Sequence, residues 1–185
     1  MRTKTYILVA ITAFLFVSCK DDKKTEGTGA TPESAEKKEN FNVEVEVVSE
    51  KPDNFPLYYT EDGTNNFASD RVIWHDVKGQ AGSQTIPLEL SEEIIPTNIR
   101  IDFGVKQGDE QGDVTLSKFK MSYYGKNFEI KGSDFLKYFI KNDSVNTEID
   151  DAKGTILFKK NPKSKLTRFY YPQQTILDEL KKITK

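Results

Sequence analysis

The stretch Phe41-Asn42-Val43-Glu44-Val45-Glu46-Val47 decides the fold class of this chain. Apolar and polar side chains alternate through it without a break, which is typical of a β-strand that buries one face. Further short strand candidates follow at 55–60, 71–77, 84–90, 98–104, 114–122, 128–131, 155–159 and 167–171. Turn-forming groups rich in Gly, Asn and Asp separate them. This pattern predicts an all-β domain over residues 41–185, an antiparallel β-sandwich with a jelly-roll-like arrangement.

Two short helices are predicted at the periphery of this sandwich. Helical spacing recurs in two apolar sets: Phe135, Leu136, Phe139 and Ile140, then Ile176, Leu177, Leu180 and Ile183. Ser133 is a candidate N-cap for the first helix, and Pro172 precedes the second. Neither helix belongs to a repeated strand–helix rhythm, so we expect both to cover edges of the sandwich.

The composition excludes several classes of protein. The 185 residues carry a formal net charge of −2 and a mean hydropathy of −0.60, which leaves no reason to expect a nucleic-acid partner or a polytopic membrane protein. The single Cys excludes a disulfide framework, and the single His excludes a multi-histidine metal site. The chain has room for one ordinary domain or at most two small ones.

The first residues have the pattern of an export signal. Arg2 and Lys4 precede 13 uncharged residues, 6–18, which are too few to span a bilayer as a helix but enough for the apolar region of a signal peptide. Ser18 then stands before Cys19. This segment resembles a bacterial lipoprotein signal, and Phe16, where that family usually has Leu, suits the relaxed pattern of Bacteroidetes lipoproteins; the alternative is an ordinary secretory signal or a buried Cys. The resemblance implies cleavage after residue 18, acyl chains such as palmitate on Cys19, and an outer-membrane anchor.

A polar tether is predicted between the anchor and the domain. Residues 20–40 contain no Leu, Ile, Val, Met or aromatic residue, so they cannot bury enough apolar area to fold alone. Lys20-Asp21-Asp22 directly after Cys19 resembles the surface-export signal of Bacteroidetes lipoproteins. That resemblance implies a surface-exposed protein, and the alternative is an ordinary charged tether.

The segment Ile99-Arg100-Ile101-Asp102-Phe103-Gly104 carries the first candidate site. Alternation places Arg100 and Asp102 on the face opposite the three apolar residues. Together with the strands at 55–60 and 84–88, this segment resembles galactose-binding-like jelly rolls, which occur as carbohydrate-binding modules. The resemblance implies glycan binding without catalysis, with Arg100 and Asp102 bonded to sugar hydroxyls. The alternative is a solvated ion pair with no binding role.

Three rings are candidate stacking platforms for a sugar. Tyr58 and Tyr59 are adjacent on a strand, so they point to opposite faces and at least one lies outside the core. Trp74 has two interpretations, because a single Trp on a strand of a small domain is more often a core residue than an exposed platform.

The sequence predicts no catalytic residue, no metal and no cofactor. His75 has no nucleophile or metal-binding motif beside it, and the acidic groups at 62–66 and 107–113 do not match a calcium loop. A run of five cations is predicted to be a solvated loop, with contact to phosphate-bearing lipid or polysaccharide as the alternative: Lys159, Lys160, Lys163, Lys165 and Arg168.

These features predict a lipid-anchored, non-enzymatic envelope protein that binds glycan or assists surface-glycan handling. A second hypothesis is an accessory lipoprotein that docks a membrane-protein partner, which would need an exposed apolar patch. An esterase or glycosidase is the third, and it would need His75 or two carboxylates in one cleft.

Overall fold

A computed structural model describes residues 40–185. Its strands are β1 Asn42–Ser49, β2 Asp53–Thr60, β3 Val72–Val77, β4 Gln80–Glu89, β5 Asn98–Asp102, β6 Val114–Tyr123, β7 Lys126–Lys131, β8 Thr147–Asp150, β9 Thr155–Phe158 and β10 Phe169–Tyr170. Short 3-10 helices span Gly108–Glu110 and Gly132–Lys137, and the α-helix α1 spans Gln174–Thr184. The predicted signal peptide, Cys19 and the tether up to residue 39 lie outside the described residues.

The larger sheet has the strand order β4-β1-β6-β9-β8, with β7 also paired to β6. One edge of β6 is shared, because its residues 114–116 pair with β9 and its residues 118–123 pair with β7. Gly132 lies at the point where β7 leaves β6. A Cβ there would overlap the carbonyl oxygen of Leu116, so this close approach of two backbones requires glycine.

The smaller sheet has the order β10-β5-β2-β3, and every pairing in it is antiparallel. It packs on the larger sheet through aromatic contacts. Phe103, directly after β5, stacks on Phe158 of β9 with ring centroids 4.7 Å apart, and Tyr170 of β10 lies 5.1 Å from the same ring. The two sheets therefore enclose one apolar core, and the predicted all-β antiparallel sandwich is confirmed.

The first predicted helix is wrong in type and in place. Residues 132–137 form a 3-10 helix that enters the core instead of covering an edge. Phe135 and Phe139 are fully buried and stack at 4.4 Å, while Ile140 is 53% exposed. The second predicted helix is confirmed as α1, with Ile176 and Leu180 on its buried face. Within residues 40–185, neither α1 nor the 3-10 helices have the length and apolarity that crossing a membrane requires.

The predicted solvated loop of five cations needs one correction. Arg168 is buried, and its Nη1 donates to the carbonyl oxygens of Gly112 at 2.8 Å and Phe158 at 3.1 Å. The backbone of Arg168 also accepts a bond from the N–H of Phe103 at 3.0 Å. Arg168 therefore joins the two sheets at one end of the sandwich, and a run of charges in sequence does not give a continuous charged surface there.

Candidate functional site

The smaller sheet has a polar and aromatic side that faces away from the core. On β2, Phe55 and Leu57 are fully buried, while Tyr58 is only partly buried on the opposite side. Register then fixes which side chains join Tyr58, because antiparallel partners share a face. Tyr58 is paired with Arg100 of β5, and Asp102 of β5 is paired with Phe169 of β10. We call this side the outer aromatic face and define it by six residues: Tyr58, Phe67, Trp74, Arg100, Phe169 and Tyr171.

Arg100, a member of this face, forms an ion pair with Asp102 through two hydrogen bonds. Arg100 donates from Nε to Oδ1 of Asp102 at 2.9 Å and from Nη2 to Oδ2 at 2.7 Å. The Arg100 side chain is 17% exposed and that of Asp102 only 2% exposed. The interpretation as a solvated surface pair is therefore wrong. The pair is built into the sheet, and planar, charge-assisted bonding fixes the guanidinium plane.

Three rings surround the Arg100 guanidinium. Its Cζ lies 4.6 Å from the ring centre of Tyr58, 5.2 Å from that of Phe169 and 5.4 Å from that of Tyr171. Aromatic faces attract a cation, so these contacts stabilise the guanidinium and hold the rings in place. Phe67 extends the cluster, with its ring centre 5.7 Å from that of Tyr171. The result is a row of rings held by a central cation.

Trp74 lies at the other end of this row, and its core interpretation is wrong. Its side chain is 54% exposed, because β3 is an edge strand and Trp74 points away from the core. Its backbone is paired with Pro56, and its ring meets the ring of Tyr58 edge-on, with centroids 6.5 Å apart. Tyr58 therefore supports one side of Trp74 and leaves much of the indole open to solvent.

Burial changes the pKa of two groups on the outer side of the smaller sheet, Asp102 and Tyr58. Burial raises the pKa of the Asp102 carboxyl, and the bonds from Arg100 oppose that rise without cancelling it. Burial also raises the pKa of the Tyr58 phenol, and the negative charge of Asp102 raises it further while Arg100 acts in the opposite direction. Tyr58 is therefore a neutral hydrogen-bonding group around pH 7.

The structure brings four of the five candidate binding residues together. Tyr58, Trp74, Arg100 and Asp102 share the outer side of the smaller sheet. Tyr59 does not join them, because it points inward and packs against the core. It is therefore removed from the candidate site. Cys19, the candidate lipid attachment residue, lies outside the described residues.

Sequence reasoning missed three rings of the face: Phe67, Phe169 and Tyr171. The signal for two of them was present, because residues 169 and 171 alternate with the buried Tyr170 and so must point outward. Phe67 lies in the loop between β2 and β3, where no period applies. Only the fold places it beside Tyr171.

Other places in the described chain are less favourable as sites. His75 is paired with the fully buried Phe55, so it lies on the inner side of β3, away from Trp74. Within residues 40–185, no group of three or more His, Cys, Asp or Glu side chains could hold a metal ion. A groove of about 290 Å³ lies between α1 and the 91–97 loop, with Ile95 and Leu177 among its lining residues.

Comparison with known proteins gives no relative. No protein family, curated protein or solved structure matches this chain. The class that the fold and the face define is therefore an all-β sandwich with an aromatic outer sheet surface, and its function has to be argued from that surface.

Proposed function

We propose that this protein is a lipid-anchored protein of the outer membrane whose sandwich domain binds glycan through the outer aromatic face, without catalysis. Support for the anchor is the signal-like segment ending at Ser18 and Cys19, followed by the polar residues 20–40. Acyl chains on Cys19 would hold the protein to the membrane, since each buried CH₂ contributes about 0.8 kcal/mol.

The observation that carries the binding proposal is the exposed indole of Trp74 beside a fixed cluster of rings. A sugar has an apolar face of C–H groups and a rim of hydroxyls, so it suits a surface that offers both an open ring and polar groups. Trp74 offers the ring, and the phenol of the partly buried Tyr58 offers a hydroxyl group. Rings already held in place lose little side-chain entropy when a ligand binds.

The test of glycan binding is an array screen of the purified full-length protein in a detergent without a sugar headgroup. Trp74→Ala is the test variant, and Ile149→Ala is the matched control because Ile149 is 49% exposed on β8 of the other sheet. We expect binding that Trp74→Ala abolishes and Ile149→Ala preserves. Absence of binding across the array, or binding that survives Trp74→Ala, would contradict the proposal.

The anchor is tested separately by cell fractionation. We expect the wild-type chain to separate with outer membranes and Cys19→Ala to lose that association. Cys19→Ala that stays with membranes would contradict lipid anchoring and would leave the glycan proposal intact.

The second candidate function, docking of a membrane-protein partner, is favoured by the groove beside α1. Ile95 is 43% exposed at its rim, and Leu177 and Leu180 contribute apolar lining. A photo-crosslinker at position 95 in cells tests it. This function would be favoured by a crosslink to one membrane protein that is lost in Leu177→Asp and kept in Trp74→Ala. If no such crosslink forms, the groove is excluded as the docking site.

A further inference from the structure

The outer aromatic face is elongated, and its length indicates the kind of glycan it fits. Its residues lie on all four strands of the smaller sheet or beside them, in the order β3, β2, β5, β10. Neighbouring strands are about 4.8 Å apart, so three spacings separate Trp74 from Phe169 by about 14 Å. Phe67, in the loop between β2 and β3, contacts Tyr171 at the β10 end of the row. The row is longer than one sugar ring.

The row is also continuous. The Trp74 ring centre lies 6.5 Å from that of Tyr58, and the Tyr58 ring centre lies 4.6 Å from Arg100 Cζ. Arg100 Cζ lies 5.4 Å from the Tyr171 ring, and that ring lies 5.7 Å from Phe67. Consecutive members of the row from Trp74 to Phe67 therefore lie no more than 6.5 Å apart, so the row has no gap as wide as a sugar ring.

The charges on the face argue against an anionic ligand. Both bonds of the Arg100–Asp102 pair are internal, so the positive charge of Arg100 is balanced within the sheet. Asp76, two residues after Trp74 on the same side of β3, is exposed and accepts a hydrogen bond from Asn54. A carboxylate beside the open ring repels uronic acids and phosphorylated sugars, while it accepts bonds from hydroxyls.

We infer that the face binds a neutral, linear glycan of about three or more sugar residues that crosses the strands from Trp74 towards Phe67. This inference rests on the proposed glycan-binding function and adds the length, direction and charge of the ligand. A site for one terminal sugar would need only Trp74 and its immediate neighbours.

The test compares oligosaccharides of one to six residues by calorimetry, with the full-length protein in the same detergent. The probes are neutral cello-, xylo- and manno-oligosaccharides and, as the acidic set, oligogalacturonates. We expect affinity for at least one neutral series to rise about tenfold or more from one to three residues. We expect the acidic set to bind at least about tenfold more weakly than that series.

Substitutions at the two ends of the row give the direction. Trp74→Ala and Phe67→Ala should each weaken binding of the hexasaccharide about fivefold or more, while Ile149→Ala should not. If circular dichroism shows that Phe67→Ala is unfolded, Phe67→Leu replaces it, because leucine keeps apolar volume at this position without a ring.

The outcomes separate this inference from the proposed function. Three results would overturn the inference alone, provided that array binding still depends on Trp74. They are an affinity that does not rise with oligosaccharide length, an affinity that Phe67→Ala does not lower, and a preference for the acidic oligosaccharides. No binding to any glycan on the array would overturn both.

Discussion

Arg100 and Asp102, two residues apart on β5, bond to each other through two parallel hydrogen bonds on the side of the sheet away from the core. Residues at this spacing share a face of a strand, so the pair needs no other element to form. The rings of Tyr58, Phe169 and Tyr171 then enclose the guanidinium. A local pair thereby becomes the centre of the outer aromatic face.

Loss of one partner of this pair should be more harmful than loss of both. Asp102→Leu is expected to lower the free energy of unfolding by about 3 kcal/mol, because it leaves a mostly buried guanidinium without its counter-ion. The double variant Arg100→Leu with Asp102→Leu should be more stable than that single variant. Urea unfolding followed by circular dichroism measures both. A double variant less stable than Asp102→Leu would show that the guanidinium stabilises the rings without its partner.

Gly104 should not tolerate a side chain. Its φ of +105° disfavours other residues, and a Cβ there would overlap Oδ2 of the buried Asp53. Gly104→Ala is expected to lower the free energy of unfolding by at least about 2 kcal/mol, from backbone strain and displacement of Asp53. Gly63→Ala is the matched control, since Gly63 has a φ of +75° and nothing within 4 Å of an added Cβ. If the two variants lose equal free energy of unfolding, backbone strain alone accounts for the loss and the displacement of Asp53 contributes nothing.

The hydroxyl of Tyr170 should contribute nothing favourable to stability near neutral pH. Tyr170 is fully buried, and its Oη has no hydrogen-bond partner among the described residues. Burying a polar group without a partner is unfavourable. Tyr170→Phe is therefore expected to keep the free energy of unfolding or raise it by up to about 1 kcal/mol, measured by urea unfolding. A clear loss would reveal a partner for this hydroxyl, such as a buried water.

The same tyrosine gives a prediction at alkaline pH. Burial raises the pKa of Tyr170 far above its ordinary value of 10.0, so the folded state holds the phenol proton more tightly than the unfolded state. Below pH about 10 this difference has no effect on the pH dependence of stability, and above it the unfolded state gains by ionising first. Wild type should lose stability relative to Tyr170→Phe as pH rises above 10. Parallel curves for the two proteins would contradict the burial of this phenol.

Trp74 should report its own exposure, because it is the single tryptophan of the chain. Its 54% exposure predicts fluorescence emission close to that of free tryptophan and strong quenching by acrylamide. Trp74→Ala should change the free energy of unfolding by less than about 1 kcal/mol, since little of the indole lies against the core. Emission at short wavelength with weak quenching would place the indole in an apolar environment and remove it as a platform.

Most of the fold could be predicted because strand alternation is a local property. Strands β1, β5, β6 and β9 each bury a set of alternating apolar side chains on one face, while Val48 of β1 and Leu157 of β9 are only partly buried on the other. The sequence does not predict β8, because Thr147–Asp150 has one large apolar residue, Ile149, and that residue is exposed. The helix predicted at 135–140 is wrong because Phe135 and Phe139 are four residues apart. That spacing fits one face of an α-helix, and it equally fits two rings that stack in a core without an α-helix between them.

The candidate site was harder to predict, because its assembly depends on pairings between distant segments. Nothing in the sequence around Arg100 indicates that Phe169 lies beside it, and only the β5–β10 pairing brings them together. The sequence favours a core position for Trp74, because strand order is not a local property and only strand order shows that β3 is an edge strand. The burial of Arg168 could not be predicted from the sequence either. Its carbonyl partners are Gly112, which is 56 residues away, and Phe158 on β9, and only the fold brings them together.

The position of β1 next to β6 has a consequence for how the chain reaches this structure. The hydroxyl of Ser117 on β6 donates to the carbonyl of Glu46 on β1 across 71 residues of sequence. The chain loses conformational entropy when so long a loop closes, and this loss comes before the contacts between β1 and β6 can compensate for it. Proteins whose sheets depend on such distant pairings fold in about milliseconds to seconds. One edge of β1 therefore stays unpaired until β6 is available, whereas β4, which comes earlier in the chain, pairs with its other edge. We expect the pairing of β1 with β6 to be a late step in folding.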